Sequence, residues 1–337
     1  MSKALWYEQQ ADRSVRCQLC RQYCVIAEGA RGHCGVRENR NGELIALVDG
    51  LIVAEQIDPI EKKPLFHLLP GSRSYSLASV GCNFRCLHCQ NASIAQYDDH
   101  GSGVLPGRQL SPAEAVQHAL DGGCRSIAYT YTEPTVWFEY ALATARLAAE
   151  AGLFNLFVTN GYIAPGALKM IAPVLHAANI DLKGFSDDFY RRVCGARLAE
   201  VLDCIRDYRR HGIWIELTTL VIPGENDDEA QLNGIARFIA DELGRDTPWH
   251  VSRFFPCYRM TDHPPTPISS LERALAAGDR AGLHYVYEGN VAAGREQTIC
   301  PHCGAVVVGR SGYTITRLNL QDGCCGSCRK PIAGIWG

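Results

Sequence analysis

No stretch of the 337-residue chain approaches 18 uninterrupted apolar residues, so no membrane-spanning helix is expected. Excess charge is also missing. Thirty-three Lys and Arg against 36 Asp and Glu leave a net charge of −3, which argues against a basic surface tracking nucleic-acid phosphates. The first residues, Met-Ser-Lys-Ala-Leu-Trp-Tyr-Glu, lack the apolar core of a secretion signal. A cytoplasmic location follows as an expectation. Cysteine, in contrast, is abundant, with sixteen residues. In a reducing compartment such density signals metal ligation rather than disulfides. A chain of this length accommodates one large domain with appendages.

Eleven of the sixteen cysteines fall into three groups. The central one is Cys82-x3-Cys86-x2-Cys89, directly after an alternating apolar run at 75–80. A [4Fe–4S] cluster has four irons, normally capped by four thiolates. Three cysteines in one tight loop leave an iron open to bind a small molecule. A zinc loop would instead show two CxxC pairs. That pattern does occur near the end of the chain, at Cys300/Cys303 and Cys325/Cys328, with 21 residues between the pairs. The intervening segment reads as hairpin strands at 305–308 and 314–318. Tetrahedral S4 ligation follows, with zinc as the default metal and a single iron as the alternative. Cys324 competes with Cys325, but the CxxC spacing favours Cys325. The third group, Cys17, Cys20, Cys24 and Cys34, sets four thiols within eighteen residues. Its two readings are a zinc staple and an auxiliary iron–sulfur cluster. Of the remainder, Cys124, Cys194 and Cys204 read as small buried hydrophobes, and Cys257 falls near a predicted strand tip.

Between the second and third groups, strand and helix alternate. Predicted strands at 75–80, 126–130, 154–159, 177–182, 212–222 and 249–254 are each followed by a helical segment. Ser111 caps the first helix, with Pro112 at its first position and Glu114 in the first turn. Later helices are expected at 133–151, 164–172, 198–210, 227–243 and 269–282. Short buried strands with helical crossovers imply a parallel sheet. Six such units predict an α/β fold, a partial (β/α)6 barrel, with its chemistry at the strand C-termini. The polar residues expected there are the Cys82 loop, Tyr131-Thr132-Glu133-Pro134, Thr159-Asn160-Gly161, Asp181 and Lys183, Thr218 and Thr219, and Arg253. One polar residue after a strand is ordinarily a turn or a cap. A row of them opposite an open iron reads as a binding rim.

With these stretches in view, the chain resembles the radical S-adenosylmethionine (SAM) superfamily. Within it the chain is similar to the glycyl-radical activating enzymes of the pyruvate formate-lyase type, and most of all to the AmmeMemoRadiSam-system radical SAM enzymes. The resemblance rests on Cys17-Gln-Leu-Cys20, Gly32-His-Cys34-Gly-Val-Arg-Glu-Asn, Asp58-Pro-Ile-Glu-Lys-Lys-Pro-Leu-Phe-His67, Cys89-Gln-Asn, Thr130-Tyr-Thr-Glu-Pro, Val158-Thr-Asn-Gly-Tyr, Asp181-Leu-Lys-Gly, Pro223-Gly-Glu-Asn-Asp and Gly334-Ile-Trp. It implies that Cys82, Cys86 and Cys89 hold a [4Fe–4S] cluster whose open iron takes SAM. It also implies a one-electron donor such as flavodoxin or ferredoxin, and a protein, peptide or small-molecule substrate.

Further roles follow from the resemblance, residue by residue. Glu133, last of a segment that is Gly-Gly-Glu in the activating enzymes, faces the SAM amine. Asp181 and Lys183 lie near SAM, as does Asn160. Thr218 stands where pyruvate formate-lyase activating enzyme has an arginine directed at the SAM carboxylate. His88 replaces an aromatic that packs on adenine, and reads equally as a satisfied loop histidine. The expected division is 1–73 as a cysteine-rich segment, 74–292 as the SAM domain and 293–337 as a zinc-ribbon-like module. A competing reading, a multi-zinc interaction or nucleic-acid module, takes support from the flanking cysteines. The acidic balance and the repeated β/α units oppose it.

Overall fold

A computed structural model describes residues 1–97, 104–292 and 294–337. Its centre is an eight-stranded sheet whose order follows the chain. The strands are β1 (Ala54–Pro59), β2 (Arg73–Ala78), β3 (Ser126–Tyr129), β4 (Phe154–Thr159), β5 (Ala177–Asp181), β6 (Trp214–Val221), β7 (Trp249–Arg253) and β8 (Val286–Gly289). From β2 to β8 all pairs are parallel, while β1 runs antiparallel to β2. Helices α1 (Pro112–Asp121), α2 (Phe138–Glu150), α3 (Pro165–Ile171), α4 (Leu198–Arg210), α5 (Glu229–Phe238) and α6 (Ile268–Ala281) supply the crossovers. The sheet is open: among the described residues no ladder joins β1 to β8.

The alternation expected from the sequence is present, with two additions. The sheet has a seventh parallel strand, β8, and an antiparallel edge, β1. Neither shows alternation long enough to flag it, and pairing with a formed neighbour is what makes them strands. Local signals hold where the chemistry is local. Ser111 and Glu114 form a reciprocal capping box, with Ser111 N to Glu114 at 2.8 Å and Glu114 N to Ser111 Oγ at 3.2 Å. Asp228 caps α5 by accepting from Gln231 N at 3.0 Å. The expected helix at 227–243 ends instead at Phe238 and runs on as one wide turn, Ile239–Leu243.

The N-terminal segment is more regular than a loop. It folds into two small antiparallel sheets, Tyr7–Gln9 with Val15–Cys17 and Val25–Ile26, and Ser2–Lys3 with Glu43–Ala46 and Arg37–Arg40. At the other end, Val306–Ser311 and Thr314–Leu318 form the expected hairpin. This tail does not carry its own core. Val307, Val308, Cys300, Cys325 and Ile332 pack with Phe66, Tyr285 and Tyr287 from the body of the protein.

Segment 58–69 links these parts. Buried Glu216 accepts from the amides of Phe66 (3.0 Å) and His67 (2.8 Å) and from His250 Nε2 (2.7 Å). His67 Nδ1 meets the Ala333 carbonyl at 2.7 Å, so that nitrogen carries the proton. Nε2 therefore accepts from Tyr287 Oη at 2.6 Å. Arg310 donates to the Phe66 carbonyl at 2.6 Å and lies over its ring. No helix among the described residues is long and apolar enough to cross a membrane.

Candidate functional site

The three-cysteine loop leaves the end of β2 at Gly81. That glycine has φ +98°, and a Cβ there would stand 2.7 Å from Val36 Cγ1 and 3.0 Å from the Cys34 carbonyl oxygen. The N-terminal segment thus packs directly on the root of the loop. Within the loop, Phe84 N donates to Cys82 Sγ at 3.4 Å, an arrangement that stabilises a thiolate. The loop backbone is tied to the end of the helical segment after β5, Tyr190–Cys194, with Arg85 N to the Cys194 carbonyl at 2.8 Å and Leu87 N to the Val193 carbonyl at 2.9 Å. On its other side Arg259 N donates to the Leu87 carbonyl at 3.0 Å, and Cys257 Sγ lies 3.3 Å from the His88 carbonyl.

The ends of β4 and β5 reach this loop. Asn160, just past β4, donates to Asn83 Oδ1 at 2.7 Å and approaches Cys82 Sγ at 3.7 Å. Lys183, past β5, pairs with Asp181 at 2.8 Å. Burial lowers the Lys183 pKa, but Asp181 and the nearby Cys86 and Cys194 sulfurs outweigh it and raise the value well above ordinary. The ammonium is thus charged, and it stands close to Cys86. That thiol is lowered below its usual range, first by a hydrogen bond from Cys194 and then, against burial, by Lys183. Cys194 was readable from sequence only as a buried apolar residue; the fold makes it a partner of Cys86.

Glu133 occupies an unexpected place. It is only 2% exposed. Oε1 accepts from Thr135 N (3.1 Å), Thr135 Oγ1 (2.5 Å) and Thr159 Oγ1 (2.8 Å), while Oε2 accepts from Asn160 N (2.9 Å). Its carboxylate clamps the ends of β3 and β4 together. Burial raises its pKa, and these donors act against that. Two residues earlier, Tyr131 sits where the activating-enzyme pattern has glycine, and its φ is +63°. That left-handed backbone costs about 1–3 kcal/mol for a residue with a side chain. The ring is fixed by a hydrogen bond to Asp58 and by the Lys63 ammonium 4.7 Å from its centroid. Asn91, in Cys89-Gln-Asn, donates to the Tyr131 carbonyl at 2.8 Å.

Thr218 spends its hydroxyl on Asn179 Oδ1 at 2.8 Å, and Asn179 in turn holds the Pro64 carbonyl. It therefore serves the 58–69 segment. His88 is buried, its ring parallel to Phe189 at 6.5 Å, and burial with Lys183 nearby pushes its pKa down to about 3. The imidazole is neutral across the physiological range. Arg253 is turned to the Thr266 carbonyl at 2.9 Å.

Near the chain's end, Cys300, Cys303, Cys325 and Cys328 bring four sulfurs within 4.8 Å of one another. Two opposite pairs stand 3.6 and 3.8 Å apart. A tetrahedral ion with metal–sulfur bonds of about 2.3 Å spaces its ligands about 3.8 Å apart, so the quartet fits a single ion. Cys325, not Cys324, takes part. Cys17, Cys20, Cys24 and Cys34 are not drawn within that distance. They line a cavity together with Arg37 and Asn83.

Comparisons with known proteins bear on the family and the fold. Residues 77–232 match the model of the radical SAM superfamily. An uncharacterized protein of Methanocaldococcus jannaschii is 46% identical over 335 residues, covering 98% of this chain and 99% of its own. The isethionate sulfite-lyase activating enzyme of Oleidesulfovibrio alaskensis is 26% identical over 130 residues, 38% of this chain and 41% of its own. Among solved structures, Streptococcus suis SuiB bound to S-adenosylmethionine superposes with a TM-score of 0.51 at 12% identity, over 68% of this chain and 53% of that one. That likeness concerns the fold alone. The chain belongs to the radical SAM superfamily and is a radical SAM enzyme.

Proposed function

We propose that Cys82, Cys86 and Cys89 hold a [4Fe–4S] cluster at which SAM is cleaved, and that the substrate is a protein or peptide. The observation that carries the cluster site is the convergence of Asn160, Lys183 and Cys194 on a loop that supplies three thiols. When bound, the cluster would supply one electron to the SAM sulfonium and an open iron for the methionine amine and carboxylate. The chain's own residues do the rest. Phe84 N and Asn160 donate toward the Cys82 sulfur, and Lys183 and Cys194 favour the Cys86 thiolate. Glu133 acts at one remove from SAM, fixing Asn160 through its amide and so the Asn83–Cys82 end of the loop. Neutral His88 offers an apolar ring edge rather than a charge. The C-terminal quartet holds zinc, since closed four-sulfur tetrahedra are its structural form.

The substrate class rests on the activating-enzyme likeness, and a flavodoxin- or ferredoxin-type protein is proposed as electron donor. Cys86→Ala tests the cluster site. Two thiolates cannot hold four irons, so the variant should lose about four irons per chain and all 5′-deoxyadenosine production. Undiminished 5′-deoxyadenosine release would refute the assignment. For the substrate, incubation with candidate partner proteins and mass analysis of both partners should show a SAM-dependent mass change.

A further inference from the structure

We infer that Cys17, Cys20, Cys24 and Cys34 ligate a second iron–sulfur cluster of the [4Fe–4S] type, stacked against the catalytic loop. Four observations carry it. The first is spacing. A single ion draws four thiolates together, as in the C-terminal quartet; a cluster places an iron beneath each thiolate and holds them further apart. The N-terminal four are not drawn within 4.8 Å of one another, and together they line one buried cavity. The second is the local fold. Cys17 N donates to the Cys24 carbonyl at 2.9 Å and Tyr23 N to the Cys20 carbonyl at 3.1 Å, so a tight turn carries Cys17, Cys20 and Cys24 to the cavity wall.

The third is a buried cation without enough partners. Arg37 lines the cavity and is 1% exposed. One terminal nitrogen meets Glu139, while Nε and Nη1 have no partner among the described residues. Donors left bare in so dry a place are costly. An anionic cluster with four thiolates supplies both the missing acceptors and the charge. The fourth is position. Asn83, next to Cys82, lines the same cavity, fully buried and with its Nδ2 unpartnered among the described residues. Gln22 donates to the Asn83 and Gly195 carbonyls at 2.8 and 3.0 Å. A redox-active centre here is a one-electron store beside the catalytic loop. That role rests on the SAM-cleavage reading above; the ligation does not.

Metal analysis of the full chain after anaerobic reconstitution with iron and sulfide tests the site. About eight irons and one zinc per chain are expected. The triple variant C82A/C86A/C89A, with all four N-terminal ligands intact, should keep about four irons and an electron paramagnetic resonance signal on reduction. Cys17→Ala with Cys20→Ala should keep the other four. About four irons with two zincs in the unaltered protein overturns the proposal, as does a folded triple variant without iron. Either result leaves the SAM-cleavage reading standing. A triple variant that keeps all the iron of the parent overturns that reading and not this one.

Discussion

Glu133→Gln separates two roles for this carboxylate. If it meets the SAM amine directly, the change should weaken SAM binding and leave the fold unharmed. The structure argues otherwise. The carboxylate accepts four hydrogen bonds from Thr135, Thr159 and Asn160 and is 2% exposed. An amide oxygen can replace Oε1, but the NH2 group then faces the Asn160 N–H, donor against donor. One charged hydrogen bond, worth about 1.5–3 kcal/mol, is lost, and a buried N–H is left bare. We expect a stability loss of about 2–4 kcal/mol in urea unfolding, with Asn160 displaced and the Cys82 loop loosened. SAM affinity, measured anaerobically on protein matched for iron, should fall as a consequence. A stability change below about 0.5 kcal/mol together with a tenfold or larger loss of SAM affinity would refute the clamp and restore direct contact.

His67 gives a pH prediction. Burial lowers its pKa to about 4, while the unfolded imidazole takes up a proton near 6.5. The unfolded state therefore binds the extra proton first as pH falls, and stability drops between about 6.5 and 4 by up to about 3 kcal/mol. His88, lowered to about 3, acts in the same direction. Trp336, 5.3 Å from the His67 ring, offers a local fluorescence reading, and His67→Gln should show a shallower slope; identical slopes would refute the assignment. Cys300→Ala should release one metal ion and loosen the tail, and because that tail shares its core with Tyr285 and Tyr287, the loss should also reach β8, visible as faster amide exchange there. Gly81→Ala should cost roughly 1–3 kcal/mol as an overpacked site and at a positive φ, and should separate the N-terminal segment from the catalytic loop; wild-type thermal stability would contradict the close approach.

The sequence by itself determined what depends on neighbours along the chain. The three-cysteine spacing, the capping box of Ser111 and Glu114, the two CxxC pairs and the strand–helix alternation all act within a few residues, so a local pattern reports them. It also marked the rim positions, because polar residues directly after buried strands are conspicuous. Tertiary structure decided the rest. β1 and β8 exist by pairing with strands already formed. The Asp58–His67 stretch is legible as a pattern, yet its work is done on Glu216, Tyr131 and Asn179, residues far away in sequence. Glu133 and Thr218 were placed on the right strands, but which partner takes each oxygen is set by packing between strands. The same holds for Cys194. Its apolar surroundings made it look like filler, and only the helical segment after β5 brings its sulfur to Cys86. A thiol's chemistry depends on the charges and donors within a few ångströms of it, and those come from segments the chain assembles only on folding.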